Sequence, residues 1–377
     1  MQSRVIAVLA DEIGPRPATS TAEARAAALV AAQMRQIGLE VGVQTFAAAA
    51  APSAGLGLLA AIGTAAALLG WWLPVPSMLL VALLLWLSGR ELNGPPTLAA
   101  MLRRHPSQNV IGTRAADRPP RSRIILLAHL DSPRIVTPRW SRYLRWSLLI
   151  VPGELLLLLG LLAARWAWPG TAPLLLAPLL LLAGSAALIW WRERRAMWSH
   201  GAVDAAALAT TMAAAETPLA DDVELWVVAL GAGAAGGAGL HALLDVYPFP
   251  VDETWFINLP WLGRGTLTLV TGEGLWRERP TDPRLSQIFH DLQSVSAPLI
   301  RRPYRGERLD SARLLARGYH AISLVGLCSD GTAAGFRHAD DTSSNLDPHA
   351  LQTAVVVLER ALARFNRRSG GGDRGSV

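Results

Sequence analysis

Two long stretches without charge constrain this chain more than any other feature. Between Glu40 and Arg90 lie 49 positions with no charged residue, and residues 54–89 within them could cross a membrane twice at roughly 17–20 residues per crossing. Residues 146–191 form a second apolar block of the same design. The central turns carry tryptophan, which favours the membrane–water interface, with proline or glycine: Trp71, Trp72, Pro74 and Pro76, then Trp166, Trp168, Pro169 and Gly170. The sequence therefore predicts two transmembrane hairpins, with four helices in contact with the lipid bilayer. The alternative, two buried hairpins in a large soluble core, is disfavoured by their length and leucine density.

The composition agrees with a membrane protein. Hydrophobic residues make up 51% of the 377 positions and charged residues 17%, which is too apolar for an ordinary soluble protein. All 35 basic residues are arginine, many of them beside the apolar blocks, and no nucleic-acid-binding motif accompanies the formal charge of +6. We therefore expect no nucleic-acid partner. Cys328 is the single cysteine, so no intrachain disulfide can form. The N-terminal segment is not typical of a signal peptide.

The arginines indicate which side of the membrane the polar segments occupy. The turns contain only Arg165, whereas the open ends of the hairpins are flanked by Arg90, Arg103, Arg104, Arg134, Arg139, Arg142, Arg145, Arg192, Arg194 and Arg195. By the positive-inside rule the polar segments are predicted to face the cytoplasm, with the hairpins in the cell inner membrane. Glu154, inside the second block, is interpreted as a neutral or water-reached carboxylate near the inner interface. A transporter or channel that uses Glu154 is the alternative.

Because each hairpin returns the chain to the same side, the polar segments can form one discontinuous domain. It would comprise residues 1–46, 92–143 and 193–368, with the hairpins at 54–89 and 146–191 and a disordered tail at 369–377. Strands are predicted at 39–46, 109–112, 123–128, 224–230, 254–258, 266–270 and 321–324, and helices at 21–37, 205–215, 240–244, 283–294, 311–317 and 348–367. This alternation predicts an α/β domain with a mostly parallel central sheet and a site at the carboxyl ends of its strands.

Two of the predicted strands lead into residues that can carry chemistry. The strand at 123–128 leads into His129-Leu-Asp131-Ser132, and the strand at 224–230 leads into a glycine-rich segment at 231–239. No lysine or acidic partner accompanies these glycines, so nucleotide binding is not expected. Gly201-Ala-Val-Asp204 stands at the start of an alanine-rich helix. On these residues alone, His129 either binds a metal or hydrogen-bonds Asp131, and Asp204 either binds a metal or caps the helix.

The ordered set of motifs resembles the co-catalytic di-zinc exopeptidases of the bacterial leucyl aminopeptidase, aminopeptidase Y and glutamate carboxypeptidase type. It comprises Ile13-Gly-Pro-Arg-Pro17, Thr21-Ala-Glu23, Gly38-Leu-Glu40-Val41, Asn109-Val-Ile-Gly112, His129-Leu-Asp131-Ser132, Gly201-Ala-Val-Asp204, Asn258-Leu-Pro260-Trp-Leu-Gly263 and His338-Ala-Asp340-Asp341-Thr342. The resemblance implies a three-layer zinc-exopeptidase domain. It implies that His129 binds the first metal, with Asp131 orienting its imidazole. Asp204 would bridge the two metals, and His338 would bind the second.

Three acidic positions implied by this resemblance hold other residues. The general base is expected at Gly233, a carboxylate ligand of the second metal at Ala234, and a carboxylate ligand of the first metal at Pro260. None of these side chains can bind a metal or accept a proton. We therefore predict a catalytically degenerate domain that acts as a binding or scaffolding module for a peptide or protein partner. Zinc is a possible cofactor only as a weakly held ion at a single site.

Two alternatives stay open at this stage. If the spacing before the Asp341-Thr342 pair reflects a one-residue deletion, His338 is the last ligand of the resemblance; otherwise Arg337 stands there and a further ligand is lost. The alternative function is an active membrane-bound zinc metallopeptidase of the aminopeptidase type. Its rearranged single-metal site would be drawn from His129, Asp131, Asp204, His338 and Asp340, with Asp131 or Glu273 as the base.

Overall fold

The computed structural model describes residues 2–51, 53–93, 97–102, 104–136, 147–273, 278–290 and 299–370. The chain divides into two compact units. The first comprises Met1–Phe46, Pro106–Arg142 and Trp198–Val377, and the second comprises Ala47–His105 and Tyr143–Met197. Several predicted features lie outside the described residues: Arg103, Arg139, Arg142, Arg145, residue 146 of the second apolar block, the helix end at 291–294 and the tail at 371–377.

The elements alternate along the chain. The helices are α1 (Gln2–Ala7), continued by a π-helix at Val8–Ile13, α2 (Thr21–Gln36), α3 (Ala54–Leu69), α4 (Pro74–Asn93), α5 (Thr97–Leu102), α6 (Ile150–Ala167), α7 (Leu176–Arg194), α8 (Ala202–Ala214), α9 (Ala238–Val246), α10 (Pro283–His290), α11 (Asp310–Leu315) and α12 (Pro348–Gly370), with 3-10 helices at Pro169–Leu175, Val251–Glu253 and Ser343–Asn345. The strands are β1 (Glu40–Ala49), β2 (Arg104–Arg114), β3 (Ser122–His129), β4 (Val223–Leu230), β5 (Thr254–Asn258), β6 (Thr266–Glu273), β7 (Arg279–Pro280), β8 (Ile300–Tyr304) and β9 (His320–Leu327). Because α12 ends at Gly370, the first two residues of the predicted tail are helical.

A nine-stranded sheet forms the centre of the first unit, in the order β1-β2-β4-β3-β5-β9-β6-β7, with β8 beside β6. Strands β4, β3, β5 and β9 run parallel. By contrast, β2 is antiparallel to β4, and β6 is antiparallel to β7 and β9. The sheet is therefore mixed rather than mostly parallel. One cause is the connection between β2 and β3, residues 115–121, which is too short for the crossover that parallel strands need.

Helices cover both faces of this sheet. Along β3, Leu126 and Ala128 pack with residues of α1, α2, α8 and α12. The intervening Ile125 and Leu127 pack on the other face with residues of α9 and α11. Because successive side chains of a strand point to opposite faces, this continuous apolar run is buried on both sides. The first unit therefore has three layers, and the carboxyl ends of β3 and β4 lie at one edge of its sheet.

The second unit is a bundle of apolar helices with an apolar outer surface. Its core includes Leu84, Leu155, Leu158 and Leu182. Large apolar side chains also point outward: Trp72, Leu79, Leu83, Trp86, Leu156, Leu157, Trp166, Trp168, Leu180, Leu181, Leu188 and Trp191 are exposed. Between α6 and α7, the Ser185 hydroxyl donates a hydrogen bond of 2.8 Å to Glu154 Oε1. The carboxylate predicted near an interface therefore has a partner inside the bundle.

Three helical segments are long and apolar enough to cross a membrane: Pro74–Leu92, Ile150–Ala167 and Pro169–Arg194. The fourth predicted helix, α3, has 16 residues. At 1.5 Å per residue it is ~24 Å long, short of the ~30 Å hydrocarbon core. Among the described residues, three of the four predicted crossings are thus supported by helix length and composition.

Candidate active site

His129 ends β3 and is held by the first turn of α11. Its Nε2 atom lies 2.9 Å from Asp310 Oδ2, and the Arg313 guanidinium donates to Asp310 Oδ1 at 2.7 Å. Burial disfavours the imidazolium form, but Asp310, Asp131 and Asp204 raise the pKa of His129 above its ordinary value. Burial alone would raise the pKa of Asp310, but the contacts with His129 and Arg313 lower it below its ordinary value. These contacts make a buried Arg313–Asp310–His129 ion-pair chain.

Asp131 contacts the segment in which two of the expected acids are absent. Its Oδ1 accepts the backbone N–H groups of Gly233 at 2.7 Å and Ala234 at 3.1 Å, and its Oδ2 accepts that of Ala235 at 3.1 Å. Burial raises the pKa of Asp131, while His129 and these three N–H groups lower it. The hydrogen-bond partner of His129 is thus Asp310, whereas the sequence suggested Asp131. Asp131 positions the turn after β4 instead.

Glu23 of α2 holds the same turn from a second side. Its carboxylate accepts the Ala232 N–H at 2.8 Å, the Ser107 hydroxyl at 3.0 Å and the Thr19 N–H at 2.8 Å. Burial, with the nearby charge of Asp131, raises the pKa of Glu23 to about 7. Ala232 has a φ of 47°, a conformation that non-glycine residues seldom adopt. The turn 232–235 is therefore held by two carboxylates, and its own side chains contribute no donor or acceptor.

Asp204 is the third residue of α8 and is fully buried. Within the described residues, neither of its carboxylate oxygens has a hydrogen-bond partner, and Asp204 Oδ1 lies 3.9 Å from His129 Nδ1, which also has none. Burial raises the pKa of Asp204 well above its ordinary value. Asp204 does not cap α8: that N-terminus is bound by Asp341, which accepts the Val203 N–H at 3.0 Å.

Arg16 supplies a positive charge to this cluster. Its side chain is fully buried. The guanidinium donates to five backbone carbonyl groups, those of Leu9, Gly14, Leu130, His200 and Gly201. Burial lowers the pKa of Arg16, and the charges of Asp204, Asp341 and Asp131 oppose that effect. Arg16 thus joins the N-terminal segment to the end of β3 and to the start of α8.

The structure distinguishes the environments of Arg337 and His338. His338 Nδ1 lies 3.7 Å from Oδ1 of Asp340, whose side chain is 57% exposed. Arg337 instead donates from Nε and Nη2 to the two carboxylate oxygens of Glu307, the Nη2 contact at 2.8 Å. Burial alone would lower the pKa of Arg337, but Glu307 and then Asp204 raise it. Arg337 is therefore held by Glu307, whereas His338 faces the exposed Asp340 carboxylate.

Glu273, the alternative base, belongs to a separate buried network. It accepts hydrogen bonds from the Ser311 hydroxyl and, at 3.2 Å, from the Leu309 N–H. Ser311 also contacts the Ser323 hydroxyl at 2.6 Å, and Asn258 donates to Ser323 at 3.0 Å. Burial raises the pKa of Glu273 to about 7. A carboxyl with this pKa suits proton transfer, but its hydrogen-bond partners are the Ser311 hydroxyl and the Leu309 backbone amide.

The donor set does not fit the two metal ions that the fold implies. Co-catalytic zinc ions need a bridging carboxylate and further imidazole and carboxylate ligands on each side. Among the described residues, no group of three or more His, Cys, Asp or Glu side chains is arranged around one metal position. Pro260 follows β5 in a buried segment, and its side chain offers no donor. Within the described residues, His129 Nδ1 and both Asp204 oxygens are potential metal ligands that are buried without a hydrogen-bond partner, and Asp204 Oδ1 lies 3.9 Å from His129 Nδ1.

The fold is that of zinc exopeptidases, as the motifs predicted. The structure is similar to BSAP, a zinc aminopeptidase from Bacillus subtilis, over 98% of this chain and 96% of that one, with a TM-score of 0.57 and 14% identity. It is also similar to an aminopeptidase from Aneurinibacillus sp. strain AM-1 over 96% and 92% of the two chains (TM-score 0.55, 14% identity). A glutaminyl cyclase from Porphyromonas gingivalis is similar over 97% of each chain (TM-score 0.53, 11% identity). Neither a family model nor a curated protein sequence matches this chain.

Proposed function

We propose that this chain is a multi-pass membrane protein whose zinc-exopeptidase-fold unit binds a peptide or protein partner and does not hydrolyse it. The observation that carries the proposal is the turn at 232–235. Where a general base and a metal ligand are expected, the chain presents only backbone N–H groups, and Glu23 and Asp131 accept all four of them. A hydrolase of this fold needs a carboxylate there to take a proton from the attacking water.

The proposal is tested by metal analysis and a peptidase assay on the full chain purified in detergent. We expect less than one zinc ion per chain and no release of N-terminal amino acids from a library of short peptides. His129→Ala is the control for adventitious peptidase, because it removes the one imidazole at the centre of the site. Two tightly bound zinc ions with turnover that His129→Ala abolishes would refute the proposal.

The strand pairing supports an even number of crossings in each apolar block. Strands β1 and β2 are neighbours in one sheet, although α3 and α4 lie between them in sequence. Strands β3 and β4 are paired in register, with α6 and α7 between them. Partner strands must lie on the same side of a membrane, so α3 and α4 either both cross or both do not. Since α4 is long enough to cross, we propose that the shorter α3 crosses with it, which makes four crossings.

The orientation can be tested with the single cysteine. Cys328 is exposed and belongs to the first unit. From the distribution of arginines we place this unit on the cytoplasmic side of the inner membrane. A membrane-impermeant maleimide should label Cys328 in intact spheroplasts only after permeabilisation. In a Cys328→Ser background, Gly170→Cys at the exposed turn before α7 should be labelled without permeabilisation. The reverse pattern would place the first unit on the outer side.

A further inference from the structure

Gly233 lies against the imidazole ring of His129. A Cβ atom at Gly233 would lie 2.5 Å from Cδ2, 3.0 Å from Cγ and 3.1 Å from Nε2 of that ring. A side chain at position 233, including the glutamate expected for a general base, would need the space that the ring fills. In this position the ring reaches Asp310. The glycine is thus what permits the His129–Asp310 contact.

Arginine side chains supply positive charge around the same cluster. Arg313 binds Asp310 on the side opposite His129. Arg16 is fully buried and donates to the Gly201 carbonyl, which lies just before α8. Arg337 is paired with both carboxylate oxygens of Glu307. The buried Asp310 carboxylate needs a partner such as Arg313, because an unpaired buried charge is unstable.

We infer that this chain has exchanged the metal centre of its fold for an ionic network of its own side chains. In this network His129 takes the space of the general base and pairs with Asp310, and Arg313 binds the other carboxylate oxygen of Asp310. The inference deepens the proposed function and rests on it, since residues engaged in this way do not activate water. A simple loss of metal ligands would have a different consequence. In this chain, a glutamate placed at position 233 would displace the His129 ring before it could serve as a general base.

A double-mutant cycle on the full chain in detergent tests the Gly233–His129 contact. The variants are Gly233→Ala, His129→Ala and the double mutant. Gly42→Ala is the matched control, because a Cβ atom there would meet nothing within 4 Å. We expect Gly233→Ala to lower the Tm by roughly 4 °C or more and Gly42→Ala to leave it within about 1 °C. With His129 already replaced by alanine, the cost of Gly233→Ala should disappear. An equal cost in both backgrounds would overturn the inference.

A zinc titration tests the inference independently, because its main measurement uses the wild-type chain and does not depend on whether the cycle variants fold. Calorimetry of the wild-type chain with a zinc salt should show no saturable binding, and added zinc should leave the Tm unchanged. Zinc binding at about micromolar affinity or tighter, lost in Asp204→Asn, would overturn the inference even if the cycle were incomplete. Peptide turnover with an intact Gly233–His129 coupling would refute the proposed function alone. Absence of coupling without turnover would refute the ionic network alone.

Discussion

Glu273→Gln tests whether the buried network beside the candidate site behaves as the structure indicates. Glu273 accepts hydrogen bonds from Leu309 and Ser311 inside the first unit. Burial raises its pKa from 4.5 to about 7. Glutamine has the shape of the protonated carboxyl: its carbonyl oxygen can accept the Leu309 N–H, and its amide can donate to the Ser311 hydroxyl. The variant therefore keeps the packing and removes only the ionisation.

The sign and size of the effect follow from linkage. Because the folded-state pKa is raised, the unfolded chain releases its proton from about pH 4.5, whereas the folded chain keeps it until about pH 7. Ionisation thus destabilises the wild-type protein increasingly between these pH values and by a constant amount above them. At ~1.4 kcal/mol per pH unit, the full effect is about 3 kcal/mol, or roughly 6–12 °C in Tm for a domain of this size.

The assay is thermal unfolding of the wild-type chain and Glu273→Gln in detergent at closely spaced pH values from 4 to 8.5. The Tm difference should be near zero at pH 4, rise through the window from 4.5 to 7, and stay constant above it. Glu216→Gln, at an exposed position, is the control for the exchange of a carboxylate for an amide. A Tm difference for Glu273→Gln that does not change with pH, or a variant that is less stable at pH 8, would refute the reasoning.

Three further predictions concern the candidate site. Asp204→Asn should stabilise the protein at pH 8 by about 1–3 kcal/mol, because burial raises the pKa of Asp204 and an amide is less costly to bury than a charge; a lower Tm would contradict this. Glu23→Ala should destabilise by about 2–4 kcal/mol, because it leaves the Ala232 N–H buried without its acceptor, whereas Ser107→Ala should cost about 1 kcal/mol in the same Tm measurement. Excess EDTA should change the Tm of the wild-type chain by less than about 1 °C, since a ligand that stabilises only the folded state would lower the Tm on removal.

The sequence predicted the parts of the fold that local pattern determines. Strands β3 and β4 are continuous apolar runs with polar or glycine-rich ends, which is typical of the buried centre of a sheet. Strand β8 was missed: its sequence, Ile300-Arg-Arg-Pro-Tyr304, has no apolar alternation, and it forms by pairing with β6. The antiparallel direction of β2 was missed for a related reason, because a strand's direction depends on which neighbour it pairs with.

The candidate site was predicted only where its residues stand in ordered motifs. His129 and Asp204 do, and the structure brings them within 3.9 Å. Asp310 does not, because its contact with His129 joins residues 181 positions apart and leaves no periodic signal. Its place directly before the predicted helix at 311–317 was the one hint, since acidic residues favour a helix N-terminus. Glu23 and Arg16 were noted as parts of motifs, and their roles became visible only with the positions of their partners.

Backbone contacts within the first unit also position the segments that form the candidate site. Residues on either side of the second apolar block are joined within the first unit: Arg134 and Trp198 form a β-bridge, and the Ser199 N–H donates to the Pro133 carbonyl at 3.0 Å. The Val136 N–H donates to the Arg337 carbonyl at 2.8 Å. These backbone hydrogen bonds link the two ends of the long segment between β3 and α8. Together with the contacts of Arg16, Glu23 and Asp131, they position the ends of β3 and β4 around His129 and Asp204.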